Sequence, residues 1–297
     1  MNIGQYPEPS HTILHLSDTH LVNERRPLYG AIDTDATLGA LLDRLRDENT
    51  ALDAIVLTGD LADAGAPDAY VRLRELVEPF AQERRCPVLW VMGNHDDREA
   101  FRTELLREEA GTEPIDRVHD VNGLRIIALD STVPGHHHGE LSTAQLEWLR
   151  EQLASPAEHG TLIALHHPPM PTALPLLQLV ELRNTALFER TVRGRDVRGI
   201  IAGHFHYSTH STFAGVPVSV AAATCYTQDL ILPLGQTRAR DAAQGANLIH
   251  VYPDRIVHSQ LTLANGSTVY EISPEQAQEW MDQTRAGNSF ASGLLES

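Results

Sequence analysis

Pro87-Val88-Leu89-Trp90-Val91-Met92-Gly93-Asn94-His95-Asp96-Asp97-Arg98-Glu99 decides the fold. An apolar run of strand length gives way to a glycine, two unlike polar residues and a helix-starting segment, so the implied path is strand, sharp turn, helix. Gly93 is read as the residue that lets the backbone turn tightly. The Asn94 amide oxygen suits a hard cation, and the imidazole of His95 carries a proton near neutral pH. A cation ligand beside an acid points to hydrolysis, provided that other buried strands end in further ligands.

Four others do. Residues 12–16 form an apolar run ending at Asp18-Thr19-His20, and 53–57 form another ending at Gly59-Asp60. Residues 161–165 lead to His166, and 197–202 lead to Gly203-His204-Phe205-His206. Between these runs Leu38, Leu41, Leu42 and Leu45, then Leu73, Leu76, Val77 and Phe80, recur at helical spacing, with Asp33, Thr34 or Asp35 as cap and Pro67 near the second start. Strands alternating with helices predict an α/β fold. In such folds functional sites gather where the strands' carboxyl ends meet one rim of the sheet. A single D-x-H or Gly-Asp in a loop would be an ordinary turn or cap; five endings in this order imply one site.

Other local signals fill in the path. Asn122-Gly123 between apolar runs predicts a hairpin, and Ser142-Thr143-Ala144-Gln145 is a capping-box pattern opening a helix. A helix is expected over 101–110, a Pro-rich loop around 168–175, and a helix over 184–192. From Thr209 the chain reads as strand-rich, interrupted by an excursion over 225–246; residues 274–284 form an amphipathic piece. With no repeat and no linker, one domain over 1–285 is expected, followed by a loose tail over 286–297.

Composition narrows the function. A net charge of −17 argues against a nucleic acid polymer or an anionic membrane surface as partner. No apolar run approaches the ~18 residues of a membrane helix, and the start resembles no secretory leader, so a cytoplasmic protein without an integral membrane segment is expected. Cys86 and Cys225 lie far apart in apolar sequence and read as reduced, buried thiols.

Seven O and N ligands, namely Asp18, His20, Asp60, Asn94, His166, His204 and His206, suit two metal ions of intermediate hardness such as manganese, iron or zinc. Two divalent ions less two carboxylates and one hydroxide leave a single positive charge, matching a phosphodiester. Metal-activated water is then the nucleophile. The leaving alkoxide needs a proton, and His95, beside a ligand but with no evident duty as one, is the natural general acid.

These motifs resemble the signature of the calcineurin-like metallophosphoesterases over residues 12–206. Beyond the signature, Leu28-Tyr29-Gly30, Gly135-His136-His137-His138-Gly139-Glu140 and Thr224-Cys225-Tyr226-Thr227-Gln228-Asp229 are similar to the class III cyclic-nucleotide phosphodiesterases of mycobacteria. The resemblance implies a four-layer αββα sandwich, with two mixed β-sheets flanked by helices and a dinuclear site at the strand ends. It implies a homodimer and hydrolysis of 3′,5′-cyclic AMP with an iron–manganese pair, two manganese ions or zinc. It also implies Asp18, His20, Asp60 and His206 on one metal, Asp60 bridging to a second held by Asn94, His166 and His204, and Asp63 as the carboxylate that orients His95. Asn94, His95 and His137 would contact the substrate.

Phosphoprotein phosphatases similar to this family carry Arg in Gly-Asp-x-x-Asp-Arg to hold a dianionic monoester, whereas this chain has Gly59-Asp60-Leu61-Ala62-Asp63-Ala64. The missing Arg favours a diester. Alternatives are a 2′,3′-cyclic nucleotide, a glycerophosphodiester, or a weakly catalytic metal-bound scaffold. A solvated flexible loop is the other reading of His136 to His138. His167 faces away from His166 and reads as structural; His15 reads as a core residue and Asp96 as a turn or helix cap.

Overall fold

Alternation along the central strands builds three apolar layers. In β1 (His11–Leu16) and β2 (Ala54–Thr58), Ile13, Ala54 and Val56 face one way, while Leu14, Leu16, Ile55 and Leu57 face the other. In β5 (Leu124–Leu129), β6 (Thr161–Leu165) and β7 (Val197–Ala202), Leu124, Ile126, Leu162, Ala164 and Ile201 join the layer of Ile13. The opposite faces, with Ile127, Leu129, Ile163, Leu165 and Ile200, pack elsewhere. Buried on both sides, such strands read as continuous apolar runs.

The computed structural model describes residues 4–47, 50–233, 235–263 and 267–285. Two mixed sheets face each other across the middle layer. The first has order β13-β12-β1-β2-β3, with β3 at Val88–Val91, β12 at Gly245–Val251 and β13 at Ile256–Thr262. Its β1, β2 and β3 are parallel, and β12 and β13 close one side antiparallel. The second has order β4-β5-β6-β7-β9-β8, with β4 at Arg117–Val121, β8 at Thr209–Phe213 and β9 at Val216–Val220. Helices α1 (Thr34–Asp47) and α2 (Pro67–Arg84) cover the first sheet through Leu38, Leu42, Leu73, Val77 and Phe80. Helices α4 (Thr143–Gln152) and α5 (Thr185–Val192) cover the second through Leu146, Leu149, Phe188 and Val192. This is the expected four-layer αββα sandwich.

Local signals act as their chemistry requires. Asp33 caps α1 through Oδ1 to the Ala36 N–H at 3.0 Å. Ser142 and Gln145 form the reciprocal capping box of α4. Asn122 and Gly123 both have positive φ in the β4–β5 hairpin, as a tight turn of matching twist demands. The helix expected over 101–110 is shorter and split: α3 (Arg98–Ala100), capped by Asp97, runs into a π-helical turn at Phe101–Leu106 that ends at Arg107 in the left-handed region. The excursion after Cys225 contains a small ribbon, β10 (Thr227–Gln228) against β11 (Ala239–Arg240). Cys225 is buried and Cys86 only half-buried, and both are free thiols.

Contacts divide the chain into a larger unit over Pro9–Ala264 and a smaller one from the described parts of Met1–Glu8 and Asn265–Ser297. The larger unit contains both sheets. In the smaller, α6 spans Pro274–Arg285; the tail expected over 286–297 lies outside the described residues. Among the described residues no helix is long and apolar enough to cross a membrane.

Candidate metal centre

All five expected strand endings converge. Asp18, His20, Asp60 and His206 place ligand atoms within 4.8 Å of one another. Asp60 Oδ2 lies 3.4 Å from His20 Nε2 and 3.2 Å from His166 Nε2, so one carboxylate oxygen faces both halves of the site. His206 Nε2 is 3.3 Å from Asp18 Oδ1. The backbone is strained where it presents these groups: Asp18, His20, Asp60, His204 and His206 all have φ between 44° and 73°. Non-glycine residues enter that region at a cost of about 1–3 kcal/mol each, and such strain clusters at functional sites.

Glycine permits the strand ends to touch. A Cβ on Gly93 would stand 2.1 Å from the Asp60 nitrogen and 2.3 Å from Asp60 Oδ1. Its φ is not positive, so close approach to a ligand loop, rather than a left-handed turn, is what excludes a side chain at Gly93.

Four imidazoles are each tied down at one nitrogen and aimed inward with the other. His20 Nδ1 meets the Asp63 carboxylate at 3.0 Å, and His166 Nδ1 donates to the Thr58 carbonyl at 2.7 Å. His204 Nε2 donates to the Val180 carbonyl at 2.9 Å, and His206 Nδ1 faces Cys225 Sγ at 3.6 Å. The Asp63 carboxylate and the Thr58 and Val180 carbonyls can only accept, so they place a proton on the outer nitrogens of His20, His166 and His204 and turn the other nitrogen inward. The inward atoms then meet one another: His20 Nε2 and His206 Nε2 at 3.3 Å, His204 Nδ1 and His166 Nε2 at 3.1 Å. Two imidazole nitrogens this close need a proton or a metal ion between them.

Two further observations fit metal ions. Asn94 Oδ1 is buried and has no hydrogen-bond partner among the described residues, a costly state for an amide oxygen without a ligand. Burial opposes charge on His166, yet the neighbouring Asp60 carboxylate pushes its pKa up to about 9. Burial likewise opposes charge on Asp60, yet His166 and His20 hold its pKa well below the usual range. The cluster is therefore built for added positive charge.

Around this centre lies a cavity of about 320 Å³, lined also by His95, His137, Leu177, Val180, Tyr226 and Gln228. His95 donates its backbone N–H to Asp60 Oδ1 at 2.9 Å. Its Nδ1 is 2.7 Å from the Asp63 carbonyl oxygen and 3.6 Å from the Asp63 carboxylate. His137 Nδ1 accepts from the Asn94 amide at 3.1 Å. The loop carrying His137 is pinned, because His167 spans Ser131 Oγ at 2.8 Å and the His137 carbonyl at 3.1 Å. With both nitrogens engaged by protein, His167 is structural, and its neighbours leave it neutral: burial, then His204, push its pKa well down.

Asp96 does more than cap a turn. Its carboxylate accepts from the Gly93 N–H at 2.8 Å, from the N–H groups of Leu61 and Ala62, and from the Tyr70 hydroxyl at 2.9 Å. It thereby clamps the loop after β2 to the loop after β3. The capping role belongs to Asp97, which accepts from the Ala100 N–H. Sequence reasoning also missed the carbonyls of Thr58 and Val180, which leave no trace in side-chain pattern, and Cys225 as the partner of His206.

The calcineurin-like phosphoesterase family model matches residues 11–208, a span that includes every candidate ligand named above. The chain belongs to this family. It is 56% identical over 278 residues to a cAMP/cGMP dual specificity phosphodiesterase of Mycobacterium tuberculosis, covering 93% of this chain and 87% of that protein. It is 33% identical to the 3′,5′-cyclic adenosine monophosphate phosphodiesterase CpdA of Escherichia coli K12, over 74% of this chain and 82% of the other. Among solved structures, a dimetal phosphatase from Danio rerio is similar with a TM-score of 0.62 at 17% identity, covering 86% of this chain and 97% of that one, a likeness of fold. Calcineurin-like phosphoesterases bind two metal ions, and the chain is a metal-dependent enzyme of phosphoester hydrolysis.

Proposed function

We propose that the chain hydrolyses phosphodiesters, with 3′,5′-cyclic AMP converted to 5′-AMP as its reaction. The observation that carries the diester reading is the cavity wall: among its described residues none is Lys or Arg. A dianionic monoester calls for such a cation beside the metals; a monoanionic diester does not. Kinship with two phosphodiesterases named for cyclic nucleotides supports the choice of substrate.

Asp18, His20, Asp60 and His206 would hold one ion, and Asn94, His166 and His204 the second, with Asp60 shared. When bound, the metals, an iron–manganese pair or two manganese or zinc ions, would supply Lewis acidity that lowers the pKa of water and offsets charge on phosphoryl oxygens. Asn94 and His137, joined at 3.1 Å, flank the position of the phosphate. His95 is anchored at Nδ1 by the Asp63 carbonyl, which fixes the ring and leaves Nε2 to donate a proton to the leaving 3′ oxygen as its bond to phosphorus breaks. Water supplies the hydroxyl that phosphorus gains. The same reading includes a homodimer, tested by light scattering.

Turnover measured on 3′,5′-cyclic AMP, 2′,3′-cyclic AMP and a glycerophosphodiester, with metal content determined alongside, decides the substrate. Preference for the 3′,5′-cyclic nucleotide is expected. Negligible hydrolysis of it by metal-loaded protein overturns this reading.

A further inference from the structure

Gln228 lines the cavity, and no step above uses it. Its Oε1 is buried and has no hydrogen-bond partner among the described residues. An acceptor left in that state costs free energy unless something in the cavity donates to it.

Its placement is built from both sides. The Gln228 N–H donates to the carbonyl of His206 at 3.1 Å, and Thr227 Oγ1 donates to the same carbonyl at 3.0 Å. Tyr226 packs its ring 4.3 Å from that of His206. On the outer side β10 pairs with β11, Gln228 opposite Ala239, and Asp229 is gripped by Arg238 and Arg240 at 2.6 Å and 2.5 Å. The ribbon therefore fixes the Gln228 backbone next to His206.

We propose that Gln228 determines specificity, by accepting a hydrogen bond from a hydroxyl on the alcohol portion of the diester, the ribose 2′-OH of a cyclic nucleotide. This rests on the phosphodiesterase reading above. A backbone one hydrogen bond away from His206 sets the side chain beside the reacting phosphate. The part of a nucleotide that lies there is the sugar, and the 2′-OH neighbours the ester oxygen at C3′. A buried acceptor discriminates strongly against an analogue that lacks the donor, because the acceptor is then left unpaired.

The test compares kcat/KM for 3′,5′-cyclic AMP and its 2′-deoxy analogue in the metal-loaded wild type and in Gln228→Met, with metal content measured in both. The wild type is expected to favour the ribonucleotide by about 10- to 100-fold, and Gln228→Met to bring the ratio close to one, chiefly by lowering the ribonucleotide value. A wild-type ratio near one overturns the inference without reference to any variant. So does a variant that slows both substrates by the same factor. Failure of the wild type to hydrolyse either cyclic nucleotide would instead remove the cyclic-nucleotide reading on which the inference rests.

Discussion

His95 Nδ1 lies 2.7 Å from the peptide oxygen of Asp63, while the Asp63 carboxylate makes its shorter contact, 3.0 Å, with Nδ1 of His20. One residue thus serves two histidines with two different groups. Its backbone orients the proposed acid, and its side chain orients His20, a proposed metal ligand. The two functions separate by mutation. Asp63→Ala keeps the carbonyl and removes the carboxylate, so it is expected to lower affinity for the metal on His20 by about 10- to 100-fold. His95→Ala is expected to retain both ions and to lose about 10²- to 10⁴-fold in kcat, more for an alkyl leaving group than for an activated aryl ester. Metal analysis beside turnover on both esters checks the pair. Equal losses on the two esters would argue against a general-acid role.

Asp60 offers the same oxygen to His20 and His166, at 3.4 Å and 3.2 Å. Asp60→Ala is therefore expected to abolish activity together with metal binding, rather than lowering the occupancy of one site alone. Its second oxygen also accepts the His95 backbone N–H, so the loop after β3 loses an anchor as well. Two ions found at full occupancy in purified Asp60→Ala would contradict a shared ligand.

Much of this was legible because strand-end chemistry is local. Each candidate ligand follows an apolar run by a few residues, and a parallel sheet brings successive carboxyl ends to one rim. The hairpin at Asn122-Gly123 and the capping box at Ser142 were legible for the same reason. What escaped depends on distant parts of the chain. Gly93 reads as a turn glycine from its own neighbours, and only the packing of Asp60 against it shows that close approach is the constraint. The π-helical turn at Phe101–Leu106 has the same apolar spacing as a regular helix over that length. Backbone carbonyls such as Val180 can act for any residue type, so no side-chain pattern announces them.

Gly203 shows the same constraint at the other end of the site. A Cβ there would lie 1.8 Å from Ser17 Oγ and 2.6 Å from Asp18 Oδ2. Gly203→Ala is expected to force β1 and the loop after β7 apart, costing about 1–3 kcal/mol as overpacking does, and to weaken metal binding through Asp18. Gly39, on α1 with nothing within 4 Å of a built Cβ, is the control. Gly39→Ala is expected to stabilise by about 0.5–1 kcal/mol through helix propensity. Urea denaturation of both variants measures the contrast; a Gly203→Ala protein as stable as the wild type would refute the close-packing account.

His15 connects the fold to pH. It is fully buried between the sheets, with Nε2 2.8 Å from Thr58 Oγ1 and Nδ1 without a hydrogen-bond partner among the described residues. Burial, aided by His258, pushes its pKa down to about 3 from 6.5. The folded state therefore holds fewer protons than the unfolded chain between those values, and stability falls as pH drops through that window. At pH 7 the contribution is fully present; by pH 4 much of it is lost, on the order of a few kcal/mol. His15→Phe removes the titration while filling the apolar space. The difference in urea midpoint between variant and wild type is expected to shift in favour of the variant as pH is lowered from 7 to 4. Parallel curves over that range would show that His15 does not titrate with unfolding.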